Sequence, residues 1–156
     1  MSERTVDGIT LQEMMEQEFA QGRGLELTVT GHSMGPTLRN LRDQVFLVSP
    51  QKRRPCRGEI VFFRRGNGSF VLHRILKEKE DGRFIVNGDA QVWTEVIKPE
   101  QIFAVVEGIQ RKGEYISSDE KRYQRYVKVW QALRPARPCM IVVLRAVKKI
   151  AGGREW

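Results

Sequence analysis

The chain has 156 residues, of which 40% are hydrophobic and 29% charged, a composition that fits a globular domain and excludes a disordered or fibrous chain. The two cysteines, Cys56 and Cys139, lie far apart and in no metal-binding spacing, so we expect free thiols and neither a metal nor another cofactor. The net charge of +8 comes from residues 121–150, with nine Lys/Arg and no acid, because residues 1–120 carry 17 Lys/Arg against 18 Asp/Glu.

The N-terminal stretch "MSERTVDGIT" has no apolar core that could serve as a signal peptide. No uncharged apolar run approaches the roughly 18 residues that a transmembrane helix needs. The sequence therefore predicts a cytoplasmic protein without a membrane anchor of its own. Peripheral attachment to a membrane surface stays open as an alternative.

Residues 10–21 predict a short helix. Thr10 and Glu13 have the spacing of a capping box, the apolar residues between 11 and 19 share one stripe, and Gly22 can close the C-terminus.

From Leu25 the apolar period changes to two, which is typical of strands. The later apolar segments are short, rich in β-branched and aromatic residues, and separated by Gly-containing turns. They are "QVFLVS" (44–49), "GEIVFFRR" (58–65), "SFVLHRIL" (69–76), "RFIVNGD" (83–89), "IFAVVEGIQR" (102–111) and "EYIS" (114–117). The pattern predicts a mainly β fold of twisted antiparallel sheets in a domain over residues 1–120, with hairpins at 66–68 and 81–82.

Residues 121–156 predict a basic amphipathic helical tail, broken at Pro135 and Pro138. Two interpretations stay open. The tail over residues 121–150 lies on an anionic membrane surface, or it packs against the β domain with its basic face in water. Nucleic acid is the least favoured partner, because no recognised binding module accompanies the charge.

The segment "TGHSMGPTL" (30–38) places Ser33 in a Gly/Pro turn directly after a strand. Such a turn can expose a nucleophilic hydroxyl, although most serines in Gly/Pro turns are structural. The candidate bases are the two histidines. His32 adjoins Ser33 in extended chain and points away from it, whereas His73 lies within a strand, where it is either a base or a packing residue. Asp89 follows an Asn-Gly turn and can either orient an imidazole or cap the turn.

Four segments, "GHSMGPTL", "RGEIVFFR", "VLHRIL" and "VNGDAQ", occur in this order over about residues 20–110. Together they resemble the conserved boxes of the type I signal peptidase superfamily, which includes the self-cleaving SOS repressors. The chain is similar to the endoplasmic-reticulum and archaeal branch, because His73 stands where the other members have a lysine.

The resemblance implies a signal-peptidase-like β fold and a serine peptidase that cleaves a peptide or preprotein at a membrane surface. It implies Ser33 as nucleophile, His73 as general base and Asp89 as the carboxylate that orients His73. Gly31, Met34 and Pro36 would surround the substrate and the oxyanion, which the Ser33 N–H would bind. The substrate would lie as an extended strand beside residues 25–30. The chain departs from the family pattern at Gly31, where many members have a hydroxyl, and at Arg42-Asp43 in place of Gly-Asp. The latter makes Asp43 a weaker second acid.

Two other functions stay open. A self-cleaving regulator is disfavoured by His73 in place of the lysine and by the lack of an Ala-Gly-type cleavage segment upstream. A non-catalytic module that binds membranes or peptides is disfavoured because Ser33, His73 and Asp89 occur together.

Overall fold

The structure is a computed structural model and describes residues 8–152. The helices are α1 (Gly8–Ala20), α2 (Lys121–Ala132) and α3 (Arg137–Ile150). The strands are β1 (Leu25–Thr28), β2 (Asp43–Val48), β3 (Ile60–Arg64), β4 (Phe70–Glu78), β5 (Phe84–Asn87), β6 (Glu95–Ile97), β7 (Ile102–Arg111) and β8 (Glu114–Ser117). The predicted mainly β fold, with an N-terminal helix and a helical C-terminal tail, is confirmed.

All strand pairs are antiparallel and form one eight-stranded sheet in the order β1-β2-β7-β3-β4-β5-β6, with β8 paired to β7. The two predicted hairpins join β3 to β4 and β4 to β5. The pairing register shifts between Phe46 and Leu47 and between Phe62 and Phe63, where β7 passes from β2 to β3. Such irregularities increase twist, so they help to curve the sheet.

Two elements differ from the predictions. Helix α1 begins at Gly8, so Thr10 lies inside the helix and the proposed capping box does not mark its start. It ends at Ala20, one residue before the predicted end, and Gly22 closes it as predicted, with a φ of 71° and an N–H that donates to the Phe19 carbonyl at 3.0 Å. Strand β6 was not predicted, because three residues are too few to reveal a period of two.

Both faces of the sheet centre are buried. In β3, Ile60 and Phe62 belong to one apolar cluster, whereas Val61 and Phe63 belong to a second. This explains why β3 reads as a continuous apolar run rather than an alternating one. The first cluster also includes Met34, so the segment around Ser33 is attached to the core.

Helix α2 packs on the β domain. Val127 and Trp130 are buried, and the Trp130 Nε1–H donates to the Asp89 carbonyl at 3.2 Å. Arg137, fully buried at the start of α3, donates to Asn87 Oδ1 at 2.9 Å. The chain turns between the two helices at Arg134–Ala136, close to the predicted break. No helix within residues 8–152 is long and apolar enough to cross a membrane.

Replacing Trp130 with alanine tests the docking of α2. We expect a loss of about 3–5 kcal/mol in the free energy of unfolding, because the substitution leaves a large cavity under the helix. Val129→Ala is the matched control, since that side chain is 58% exposed on the same helix. Denaturant unfolding measures both variants. Equal effects of the two substitutions would contradict the docked position of α2.

Candidate active site

The residues from Gly31 to Thr37, here named the Ser33 loop, follow β1 and have fixed anchors. Gly31 has a φ of 87°, which favours glycine, and its N–H donates to Asn40 Oδ1 at 2.9 Å. Met34 is buried in the core, and its carbonyl accepts from the Leu38 N–H at 2.9 Å. The peptide bond between Gly35 and Pro36 is cis. Ser33 is therefore carried by a loop that is held at both ends.

The Ser33 loop also contacts the turn after β5. The Ala90 N–H donates to the Ser33 carbonyl at 2.9 Å. Gly88 lies so close that a Cβ atom there would be 2.5 Å from the same carbonyl oxygen. Glycine at position 88 is thus required by the close approach of two backbone segments.

Ser33 and His73 line the same cleft, which has a volume of about 320 Å³. The lining comes from the end of β1 and the Ser33 loop, from β3 and β4, and from Gln91 and Trp93. Much of the lining is apolar: Leu27, Met34, Phe62, Phe70 and Leu72. The structure thus brings together two of the three predicted catalytic residues around a space large enough for side chains of a bound peptide.

His73 is buried in β4 and lies close to one carboxylate. Its Nδ1 is 2.9 Å from Oε1 of Glu95, although this contact is not a hydrogen bond and both buried ring nitrogens lack a hydrogen-bond partner. Burial lowers the pKa of His73 from 6.5 to about 4, and the nearby Glu95 opposes this only in part. The imidazole is therefore neutral at pH 7, as a general base must be.

Glu95 is held in place by Arg65, which shares the Oε1 oxygen with His73. The guanidinium of Arg65 donates from Nε to Oε2 at 2.9 Å and from Nη2 to Oε1 at 2.7 Å. Arg65 also lies over the ring of Trp93, 5.8 Å from its centroid. With Nδ1 of His73 against Glu95, Nε2 is the ring nitrogen left for another partner, and it is buried without one in this structure.

The predicted role of Asp89 is wrong. Its carboxylate accepts from Arg74 Nε at 2.9 Å and Arg74 Nη2 at 2.7 Å, and from Thr37 Oγ1 at 2.5 Å. Asp89 and Arg74 are both only 1% exposed. The carboxylate adjacent to His73 belongs instead to Glu95.

Strand alternation explains this correction. His73 and Arg74 are neighbours in β4, so their side chains leave opposite faces of the sheet. Asp89 follows β5, in which Asn87 pairs directly with Arg74, and it therefore meets the arginine. Burial lowers and the Asp89 carboxylate raises the pKa of Arg74, with a net upward shift that keeps the guanidinium charged.

The Arg74–Asp89 pair also connects to α2. Thr37 Oγ1 is 2.7 Å from the hydroxyl of Tyr126, and burial raises the pKa of that phenol to about 12. Arg74 Nη1 donates to the Gly58 carbonyl at 2.8 Å. Asp89 is thus the centre of a buried network that fixes the Ser33 loop on the tail helix, and this network does not include His73.

The structure also locates His32 and Asp43. His32 is exposed and contributes to the cleft lining. Asp43 is fully buried and accepts from Arg42 and Arg111, and its pKa is lowered because these hydrogen bonds outweigh its burial. It is a structural acid rather than a second catalytic one.

Glu95 is the site residue that the sequence did not reveal. The available signal was an acid between apolar residues in "WTEVI" (93–97), which indicates a half-buried carboxylate with a function or a partner. The sequence favoured Asp89 because it belongs to the Gly-Asp box and lies nearer to His73 along the chain than Glu95 does.

No family model, curated protein or solved structure matches this chain. The residues that the structure describes include no group of three or more His, Cys, Asp or Glu that could hold a metal ion.

Two matched substitutions, Asp89→Asn and Glu95→Gln, test the separation of these carboxylates. Asp89→Asn leaves the buried Arg74 charge without its counter-ion and should cost about 3–5 kcal/mol of unfolding free energy. Glu95→Gln removes a partly exposed carboxylate and should cost less than about 1 kcal/mol. Denaturant unfolding at neutral pH measures both. A larger loss of unfolding free energy for Glu95→Gln than for Asp89→Asn would contradict the structural role assigned to Asp89.

The buried neutral state of His73 predicts a pH dependence of stability. Between about pH 4 and 6.5 the unfolded chain binds the His73 proton and the folded chain does not, so stability decreases as the pH falls through this window. The contribution approaches about 1.4 kcal/mol per pH unit. His73→Phe keeps a ring beside Phe63 and Trp93 and should remove this contribution from the plot of unfolding free energy against pH. If the unfolding free energies of the wild type and His73→Phe changed equally with pH, the lowered pKa of His73 would be contradicted.

Proposed function

We propose that this protein is a serine endopeptidase in which Ser33 is the nucleophile, His73 the general base and Glu95 the acid that orients His73. The observation that carries the proposal is a buried, neutral histidine with a carboxylate at Nδ1, in the same cleft as a serine on an anchored Gly/Pro loop. Nucleophile, base and orienting acid are the three parts that acyl transfer requires.

The reaction follows from these roles. His73 Nε2 takes the proton of the Ser33 hydroxyl as Oγ attacks the carbonyl carbon of the scissile peptide bond. The Ser33 N–H stabilises the oxyanion of the tetrahedral intermediate. When the C–N bond breaks, His73 gives the proton to the leaving amine and an acyl-enzyme remains. Water, deprotonated by His73, then hydrolyses the ester and restores the Ser33 hydroxyl.

The imidazolium that forms in each step is stabilised by Glu95, which supplies a negative charge next to a ring that burial otherwise disfavours in the charged form. Arg65 limits this effect, since its guanidinium lowers the pKa of His73. The same guanidinium fixes the carboxylate in position.

An extended peptide segment is the substrate that the cleft fits best. Strand β1 is the end strand of the sheet and, within the part of the chain that the structure describes, pairs only with β2. Leu27 and Thr28 of β1 line the cleft, so a peptide that added to this strand as a further one could present a bond to Ser33. The apolar lining favours apolar or small side chains beside that bond.

The four boxes that resemble type I signal peptidases support the same function, with one change of role. In this chain Asp89, in the Gly-Asp box, pairs with Arg74 and has a structural role. Glu95, six residues later, would be the acid that orients His73.

Peptide cleavage tests the proposal. A library of extended peptides, incubated with the wild type, should yield products that mass spectrometry identifies. Ser33→Ala should lower the rate at least about a thousandfold, because it removes the nucleophile. Ser49→Ala, which replaces a serine directly after β2 and outside the cleft lining, should cleave as the wild type.

Equal cleavage by the wild type and Ser33→Ala would overturn the assignment of the nucleophile. Peptides that bind in the cleft of the wild type and remain intact would favour a peptide-binding module instead. Unchanged thermal unfolding of Ser33→Ala ensures that any loss of cleavage reflects chemistry and not folding.

A further inference from the structure

Helix α3 lies on the Ser33 loop with one of its faces. Ile141, Leu144 and Arg145 line a groove there together with His32 and Pro36. His32 also lines the candidate cleft. A single short loop therefore separates α3 from the proposed catalytic residues.

The opposite face of α3 is apolar and open to solvent. Its members follow the i, i+3, i+4, i+7 spacing of one helical face and are here named the α3 stripe: Cys139, Val142, Val143, Ala146, Val147 and Ile150. Val142 is 66% exposed, Val143 and Val147 are 58% exposed and Ile150 is 88% exposed. A contiguous exposed apolar surface of this kind marks an interaction site.

Exposed apolar residues also lie near each end of α3. At its start, Val92 shares a groove with Pro135 and Pro138, and the adjoining Trp93 is 47% exposed. In the turn that follows the Ser33 loop, Leu41 is 61% exposed.

Charge decides which occupant this surface fits. Loss of hydration and the neighbouring Arg39 and Arg42 lower the pKa of Lys148, so several cations gather near the end of α3. Residues 121–150 contain no acid. Two copies that paired stripe to stripe would bring two basic helices without any acidic side chain against each other. An anionic bilayer offers an apolar interior and negative headgroups within one surface.

We propose that α3 binds the surface of an anionic lipid bilayer, with the α3 stripe inserted at the boundary between headgroups and acyl chains. Lys149, which lies beside the α3 stripe, would extend along the helix toward the lipid phosphates. At 14 residues the helix is about 21 Å long, which suits a helix lying in the interface and is too short to span a bilayer. Helix α2 takes no part, because its apolar side is committed to the β domain.

One consequence rests on the proposed peptidase, whereas the binding itself does not. If Ser33 is the nucleophile, the bond to be cut lies close to the bilayer surface. The substrate class would then be extended polypeptide segments next to a membrane.

Cosedimentation of the full chain with sucrose-loaded vesicles tests the proposal, using phosphatidylcholine alone and phosphatidylcholine mixed with phosphatidylglycerol. The wild type should bind the mixed vesicles, and added salt should weaken the binding. Val143→Glu and Val147→Glu should each weaken it about tenfold or more, since each removes inserted methyl groups and adds a repelled charge.

Val129→Glu is the matched control, because Val129 on α2 has the same 58% exposure and the change in charge is identical. It should bind within about twofold of the wild type. Thermal unfolding of the three variants should match the wild type, since all three positions are exposed.

Three results would overturn the proposal. They are equal loss from all three variants, equal binding of the wild type to both kinds of vesicle, and a lipid-free dimer that Val143→Glu dissolves. The last would identify a second copy as the occupant. Ser33→Ala should bind vesicles as the wild type does, so a failed cleavage assay and a failed binding assay remain distinct results.

Discussion

The buried ion pair between Arg74 and Asp89 is the interaction on which the other parts of the site depend. It joins β4 to the turn after β5, reaches the Ser33 loop through Thr37, and reaches α2 through Tyr126. Two charges removed from water stabilise a fold only when their remaining hydrogen-bonding groups are satisfied. Here Gly58 and Thr37 satisfy several of them, so the pair specifies one relative position for four segments of the chain.

Two neighbouring residues of β4, His73 and Arg74, have different roles. Arg74 faces the side where the chain needs a permanent charge to hold separate segments together. His73 lines the cleft, where burial lowers its pKa and keeps the imidazole neutral at pH 7, in the form that can accept a proton. A strand supplies this separation without cost, because successive side chains leave opposite faces. The proposed chemistry and the architecture can then be tuned independently, although they share one strand.

The sequence predicted the fold class and most strands, and it placed Ser33 and His73 in one site. These predictions depend on local patterns: a period of two, Gly-containing turns and recognisable boxes. It could not identify Glu95, because β6 has three residues and its approach to His73 arises only from pairing with β5. The sequence also left open whether the tail packs or stays exposed. The answer differs between α2, which buries Trp130, and α3, whose outer valines remain exposed, and only tertiary contacts separate these two outcomes.

The open edge of β1 has a consequence for self-association. A strand whose backbone groups are unpaired on one side is a template for any extended chain, including a second copy of the same protein. The edge here is only four residues long, Glu26 on it is exposed, and Gly31 turns the chain away shortly beyond it. These features shorten the ladder that an intruding strand could form, and a charged side chain disfavours stacking of identical edges. The same edge can thus remain accessible to a short peptide while offering little to amyloid-like assembly.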